Sequence, residues 1–190
     1  MTPPKKIIVA VTGASGSIYA RQLLEMLLQA DAVGEIALIV SGNGSAVAEH
    51  EQVELPVEHP KITVYRNDDL FAPVASGSAG YDAMVVAPCS MGTAGRIAAG
   101  VSLDLIGRSA DVMLKERRRL ILVPREAPYS TIHLRNLLTL SESGAIVVPA
   151  SPSFYALPEN IEALCRSITE RVVSLLGIEI SHYRWRESLK

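Results

Sequence analysis

Short runs of β-branched and aliphatic residues recur along the chain at Ile7 to Val11, Ile36 to Val40, Ile62 to Tyr65, Ala83 to Ala87, Leu120 to Val123 and Ala145 to Val148. Each has the length of a strand. Stretches of helical character separate most of them, and this alternation predicts a mostly parallel sheet, because parallel neighbours need long crossovers that helices supply. The last such stretch, Pro158 to Leu176, has the clearest helical period, with Ile161, Leu164, Cys165, Ile168, Val172, Leu175 and Leu176 on one face. Pro158 and Glu159 suit its first turn and Gly177 a left-handed stop. Arg171 falls at the edge of the apolar stripe, where a charge calls for a partner. The polar segment Asp68 to Gly80 reads as a long functional loop with no element of its own.

The pattern therefore predicts an α/β protein with helices on both faces of the sheet. A chain of 190 residues suits one domain with a proper core, so residues 1–190 are read as a single domain in which 178–190 form a C-terminal tail. The net charge of −2 gives no general pull toward nucleic acid, although Lys115, Arg117, Arg118 and Arg119 form a local basic cluster. Cys89 and Cys165 lack the spacing of a zinc site or redox pair, which predicts reduced thiols in a cytoplasmic protein. Met1 to Lys6 is polar and leads into a strand without a small-residue cleavage site, and no apolar run approaches membrane-spanning length. Neither processing nor a membrane is expected.

Ligands of open parallel sheets gather beyond the carboxyl ends of the strands. After the first strand comes Thr12-Gly13-Ala14-Ser15-Gly16, then a helix from near Ile18. Glycines admit a ligand to the backbone, and the free N–H groups of a helix start bind anions or flavin carbonyl oxygens. The turn does not match the full dinucleotide fingerprint, and a plain tight turn explains its glycines as well. Ser41, at the end of the second strand, can reach a ligand or, more commonly, cap the next helix. The fourth strand ends in Ala87-Pro88-Cys89-Ser90-Met91-Gly92-Thr93, again small, hydroxylated and opening a helix. Two such turns side by side make a cradle rich in N–H and O–H donors and poor in charge, which suits an isoalloxazine edge better than a triphosphate. The fifth strand ends in Pro124-Arg125-Glu126-Ala127-Pro128, where Arg125 and Glu126 are either ligand groups or a solvated ion pair.

Gly13-Ala14-Ser15-Gly16, Pro88-Cys89-Ser90-x-Gly92-Thr93, the run from Ala110 to Arg118, Pro124-Arg125-Glu126-x-Pro128 and Phe154-Tyr155 stand in the order and spacing of the UbiX-type flavin prenyltransferases, which the chain resembles as far as Arg184-Trp185. The resemblance implies a Rossmann-like or flavodoxin-like three-layer fold and a homododecamer with FMN at subunit boundaries. It implies a metal-free reaction that joins a dimethylallyl group from dimethylallyl phosphate to N5 and then C6 of reduced FMN, making a cofactor for a UbiD-type decarboxylase. By similarity FMN is held by Gly13, Ala14, Ser15, Ser41, Ser90, Met91, Gly92, Thr93 and Arg125. The prenyl phosphate is held by Tyr155, Arg171, Lys115, Arg108 and Arg125. Glu126 is the implied acid/base residue, and Ser15 with Glu51 a proton relay. Where the family commonly follows the second-strand serine with Lys-Ala-Ala, this chain has Gly42-Asn43-Gly44, which predicts a looser helix start.

Two other functions are compatible with such a fold. An FMN-dependent cysteine-type decarboxylase needs a histidine on the helix after the second strand and a Pro-Ala-Ser-Ala-Asn-Thr type motif. Here His50 lies off the expected place and the motif is Pro88 to Thr93. A non-catalytic flavin carrier has no reason to keep Tyr155, Arg171, Lys115 and Glu126 together.

Overall fold

The computed structural model describes residues 3–179. Strands β1 (Lys5–Val11), β2 (Val33–Val40), β3 (Ile62–Arg66), β4 (Ala83–Cys89), β5 (Arg119–Pro124) and β6 (Ile146–Val147) alternate with helices α1 (Ser17–Gln29), α2 (Gly42–His50), α3 (Met91–Ala98), α4 (Leu105–Lys115), α5 (Thr131–Glu142) and α6 (Ile161–Leu175). All six strands pair in parallel in the order β3-β2-β1-β4-β5-β6. Every predicted strand is present, most of them extended by a few residues at an end.

Successive strand residues point to opposite faces, and both faces are covered. Ile7, Val9, Leu38, Val85 and Ile121 pack with the apolar sides of α1 and α6. Ile8, Ala10, Ile39, Val86 and Leu122 pack with α3, α4 and Leu140 of α5. This is the three-layer, doubly wound arrangement. The strand order reverses between β1 and β4, and that reversal opens a crevice at the carboxyl ends of these two strands.

Four details differ from the sequence expectations. First, α6 begins at Ile161 rather than Pro158, because the Asn160 side chain accepts the Ala163 N–H at 2.8 Å and caps it there. Its buried stripe is Cys165, Ile168, Thr169, Val172 and Val173. Ile161, placed on that stripe by its period, is 71% exposed. Second, Arg171 is exposed, turned away from the face that packs on α1, so within one chain it needs no buried partner. Third, the Asp68–Gly80 segment carries two short 3₁₀ turns, Pro73–Ala75 and Gly77–Ala79, and is stitched to the molecule. Val74 is buried, Arg108 Nε donates to the Ala75 carbonyl at 3.0 Å and Arg118 Nη2 to the Gly77 carbonyl at 2.9 Å. Fourth, the start of α2 is not loose: Ser41 Oγ caps it by accepting the Gly44 N–H, and a Cβ on Gly44 would stand 2.6 Å from the Val11 carbonyl oxygen. Gly44 thus lets α2 press against the end of β1.

Gly177 ends α6 at φ +69°, as its position predicted, and Ile178 after it is still buried in the core. Residues 180–190, most of the predicted tail and the Arg184-Trp185 pair, lie outside the described residues. Among the described residues no helix is long and apolar enough to cross a membrane.

Candidate functional site

The crevice is built from the turns after β1 and β4. Thr12, at the end of β1, is buried and ties the two together: its hydroxyl donates to the Pro88 carbonyl at 2.8 Å and accepts the Ser90 N–H at 2.8 Å. Sequence reasoning passed over Thr12, and its position between an apolar strand and Gly13 was the available signal. Gly13 is exposed, and a Cβ there would lie 2.5 Å from that of Asn43, so the turn after β1 and the start of α2 approach as only glycine permits.

Gly16 occupies the N-cap position of α1 in the left-handed region (φ +111°) and offers no side chain to cap the helix. Glu51, arriving at the end of α2, takes that role. Its carboxylate accepts the Gly16 N–H at 2.8 Å and the Ser17 N–H at 2.7 Å. Burial pushes the Glu51 pKa up, but the Ser15 hydroxyl and the Gly16 and Ser17 N–H groups outweigh it and hold the group below the ordinary glutamate range. The structure therefore brings Ser15 and Glu51 together. It also shows that the N–H groups at the start of α1, which the sequence offered to a ligand, are already occupied by this side chain. A cleft of about 730 Å³ opens beside them, lined by Ser15, Gly16, Arg21, Glu51, Gln52 and Ile161 among others.

A carboxylate whose folded pKa is depressed stabilises the protein above its unfolded pKa, and that contribution disappears as pH falls through the folded value. Wild-type protein is accordingly expected to be more stable than Glu51→Gln at neutral pH. The difference should persist down to the ordinary glutamate range near pH ~4.3 and vanish below it. Chemical denaturation of both proteins across the acid range measures this, and a difference independent of pH would mean that the carboxylate charge is not its source.

At the second turn, Ser90 caps α3: its Oγ accepts the Thr93 N–H at 3.3 Å and donates to Thr93 Oγ1 at 3.0 Å. The Met91 side chain is buried in the core while its N–H, with that of Gly92, has no partner among the described residues. Cys89, just before the turn, is fully buried and its thiol is pushed up to about 12 by burial, so it stays protonated.

Arg125, from the end of β5, is exposed and reaches across to the first turn, where its Nε donates to the Ser15 carbonyl at 3.2 Å. Glu126 is half-buried, accepts the Ala127 N–H at 3.0 Å and makes no ion pair with Arg125. The surface ion-pair explanation of these two residues is thus discarded. Tyr129 lies close by, its phenol pushed up in pKa by burial and by the Glu126 carboxylate.

The remaining predicted residues are not drawn into this cluster. Lys115 ends α4 beside the amino end of β5, 2.5 Å from Glu116, in a groove of about 500 Å³ that shares no lining residue with the cleft at Ser15. The six residues of β5 separate it from Arg125 by roughly 20 Å. Arg108, on α4, pairs with Asp111 at 2.8 Å. Arg171 lies ten residues into α6, about 15 Å along the axis from its start. Tyr155 is 69% exposed, in the segment that follows β6 past the end of β5. The resemblance groups these four side chains with the crevice, whereas in one chain they stand on α4, on α6 and in the segment between β6 and α6.

Comparison with known proteins identifies the family and the fold. The Flavoprotein family matches residues 1–175. The flavin prenyltransferase UbiX of Methanocaldococcus jannaschii is 46% identical over 186 residues, which cover 95% of this chain and 98% of that one. A crystal structure of AnUbiX in complex with FMN and dimethylallyl pyrophosphate superposes with a TM-score of 0.87 at 38% identity, covering 97% of this chain and all of the other. A dodecameric FMN-dependent UbiX-like decarboxylase from Escherichia coli does so with a TM-score of 0.87 at 39% identity, over 95% and 99% of the two chains.

Proposed function

The chain belongs to the flavin prenyltransferases of the UbiX family, and on that premise we propose that its crevice between β1 and β4 holds reduced FMN against a dimethylallyl phosphate. The observation that carries the assignment is the meeting, at the switch point of the sheet, of two donor-rich turns with Arg125 and Glu126. The residues present fit a flavin: Gly92 is exposed and leaves the backbone open to a flat ring, and the α3 turn offers free N–H groups. Gly13, Ala14, Ser15, Ser41, Ser90 to Thr93 and Arg125 form the flavin side. The donor set contains no group of three or more metal-binding side chains among the described residues.

Reduced FMN supplies the nucleophilic ring atoms, N5 and C6. The protein supplies position, charge and proton transfer. Arg125 bridges toward both substrates, since one guanidinium can serve two oxyanions. Tyr155, Arg171, Lys115 and Arg108 stabilise the departing phosphate as fixed donors. Glu126 removes the C6 proton as the new ring closes. Glu51, held ionised beside Ser15, gives the Ser15 hydroxyl a charged acceptor and so lets this pair take the N5 proton.

Because one chain leaves Lys115 far from Arg125, the complete site is formed between copies of the chain. The surface supports such assembly. Ile132, Leu134 and Leu138 project from α5, Phe71 is fully exposed beside the exposed Leu70, and Phe154, Leu157 and Ile161 form a third apolar group. Exposed apolar residues on several elements allow more than one kind of contact, as a closed assembly such as the dodecamer of the E. coli relative requires. The product is passed to a UbiD-type decarboxylase, and the free, buried cysteines fit a reducing, cytoplasmic setting.

Anaerobic incubation with reduced FMN and dimethylallyl monophosphate, followed by mass spectrometry, tests the activity. A flavin heavier by one dimethylallyl unit is expected. FMN that binds and is returned unaltered would leave the protein a carrier.

A further inference from the structure

Arg96 belongs to the last turn of α3, the end of a helix that favours a positive charge. A helix amino terminus is already electropositive, and a cation is stabilised at the opposite end. Arg96 nevertheless folds back over the first turn. Its Nη2 donates to Thr93 Oγ1 at 3.2 Å, and its Nη1 lies 3.8 Å from where a Cβ on Gly92 would stand. Helical side chains lean toward the amino terminus, which makes the reach possible but does not remove the repulsion. The compensation inside the chain is partial: Asp104 approaches only to 3.6 Å, and the Arg96 side chain remains 42% exposed.

The rest of the turn is made of donors. Thr93 Oγ1 receives hydrogen bonds from both Arg96 and the Ser90 hydroxyl, which occupy its two lone pairs and leave its own proton to be given away. Met91 and Gly92 present their N–H groups. Gly92 adds an independent indication. It is an exposed glycine in the first turn of α3, and, its chain neighbours and the helix's own backbone aside, the Arg96 guanidinium is the one group of the described residues within 4 Å of its missing Cβ. The open space at Gly92 and the guanidinium face the same position.

We propose that Arg96 is a binding residue for a negatively charged group of the flavin substrate, and that it makes the first turn of α3 an anion seat. The proposal rests on the reading above that Ser90 to Thr93 border FMN. FMN carries negative charge on its phosphate and, once reduced and deprotonated, on its ring. The shared chemistry is an oxyanion or ring anion against N–H and guanidinium donors.

The test compares wild-type protein with Arg96→Met and Arg96→Lys, each checked for an unchanged thermal melt and assembly size. Affinities for oxidised FMN, reduced FMN and oxidised riboflavin are measured by flavin fluorescence, anaerobically where needed. Arg96→Met is expected to lose about tenfold in affinity for a charged flavin, the size of one charge-assisted contact, and less than about twofold for neutral oxidised riboflavin. Arg96→Lys should recover part of the loss. A loss with oxidised FMN places the phosphate in the seat, and a loss confined to reduced FMN places the ring there. An equal loss for riboflavin would show that Arg96 merely supports the helix, and no loss for any flavin would show that it does nothing there; either overturns the proposal. Wild-type protein that binds no flavin would instead sink the functional reading on which the proposal stands.

Discussion

Replacing Glu126 by Gln is expected to leave FMN bound and to slow formation of the prenylated flavin by about 10²–10⁴-fold, the usual effect of removing a general base. The expectation comes from a division of labour between neighbours at one strand end. Arg125 reaches across the crevice to the Ser15 carbonyl and supplies charge. Glu126 forms no ion pair with it, is half-buried and is held by the Ala127 N–H. A carboxylate in a place meant to attract phosphate weakens binding rather than strengthening it, so its use is to accept a proton. Gln keeps the shape and the acceptor for the Ala127 N–H but cannot take that proton. Single-turnover rates with saturating substrates measure the step directly. A variant turning over at the wild-type rate would mean that the proton leaves by another route, with the departing phosphate as the nearest candidate.

Two variants that are each inactive should regain activity when co-expressed. Lys115 stands beside the amino end of β5 and Arg125 just past its carboxyl end, about 20 Å apart. A single phosphate cannot touch both in one chain. If each site joins Arg125 of one copy to Lys115 of another, Arg125→Ala and Lys115→Ala chains mixed at random build one intact site in about four, the product of two even chances. Recovery to about a quarter of wild-type activity is therefore expected from mixed oligomers purified with two different tags. Activity no greater than that of either variant alone would return both residues to one chain's site, and with it the claim that the site is shared would fall.

Arg171→Ala and Tyr155→Phe fit the same frame without deciding between one chain and two, because neither residue is fixed at an opposite end of the sheet. Lys115 is the informative position, since strand length alone puts it out of reach.

The local patterns were legible in the sequence because they are set by short-range physics. Alternating apolar runs marked all six strands, and the hydroxyl after the second marked Ser41 as a helix cap, a role its side chain fills with the N–H three residues on. Gly177 closed α6 for the same reason: a left-handed residue is a local requirement. Where the sequence misled, a distant group had intervened. The N–H groups at the start of α1 looked free, because nothing near Gly16 shows that Glu51 will arrive from the end of α2 to take them. Thr12, seen only as the first residue of its turn, was given no role, because its worth lies in joining two strand ends that are far apart in the chain. The amino-acid sequence by itself determined the strands, the caps and, through linked motifs, the family. Which carboxylate fills which turn, where Arg96 folds back, and which end of the sheet each basic residue reaches were decided only by tertiary packing, since these depend on contacts between residues that sequence spacing does not relate.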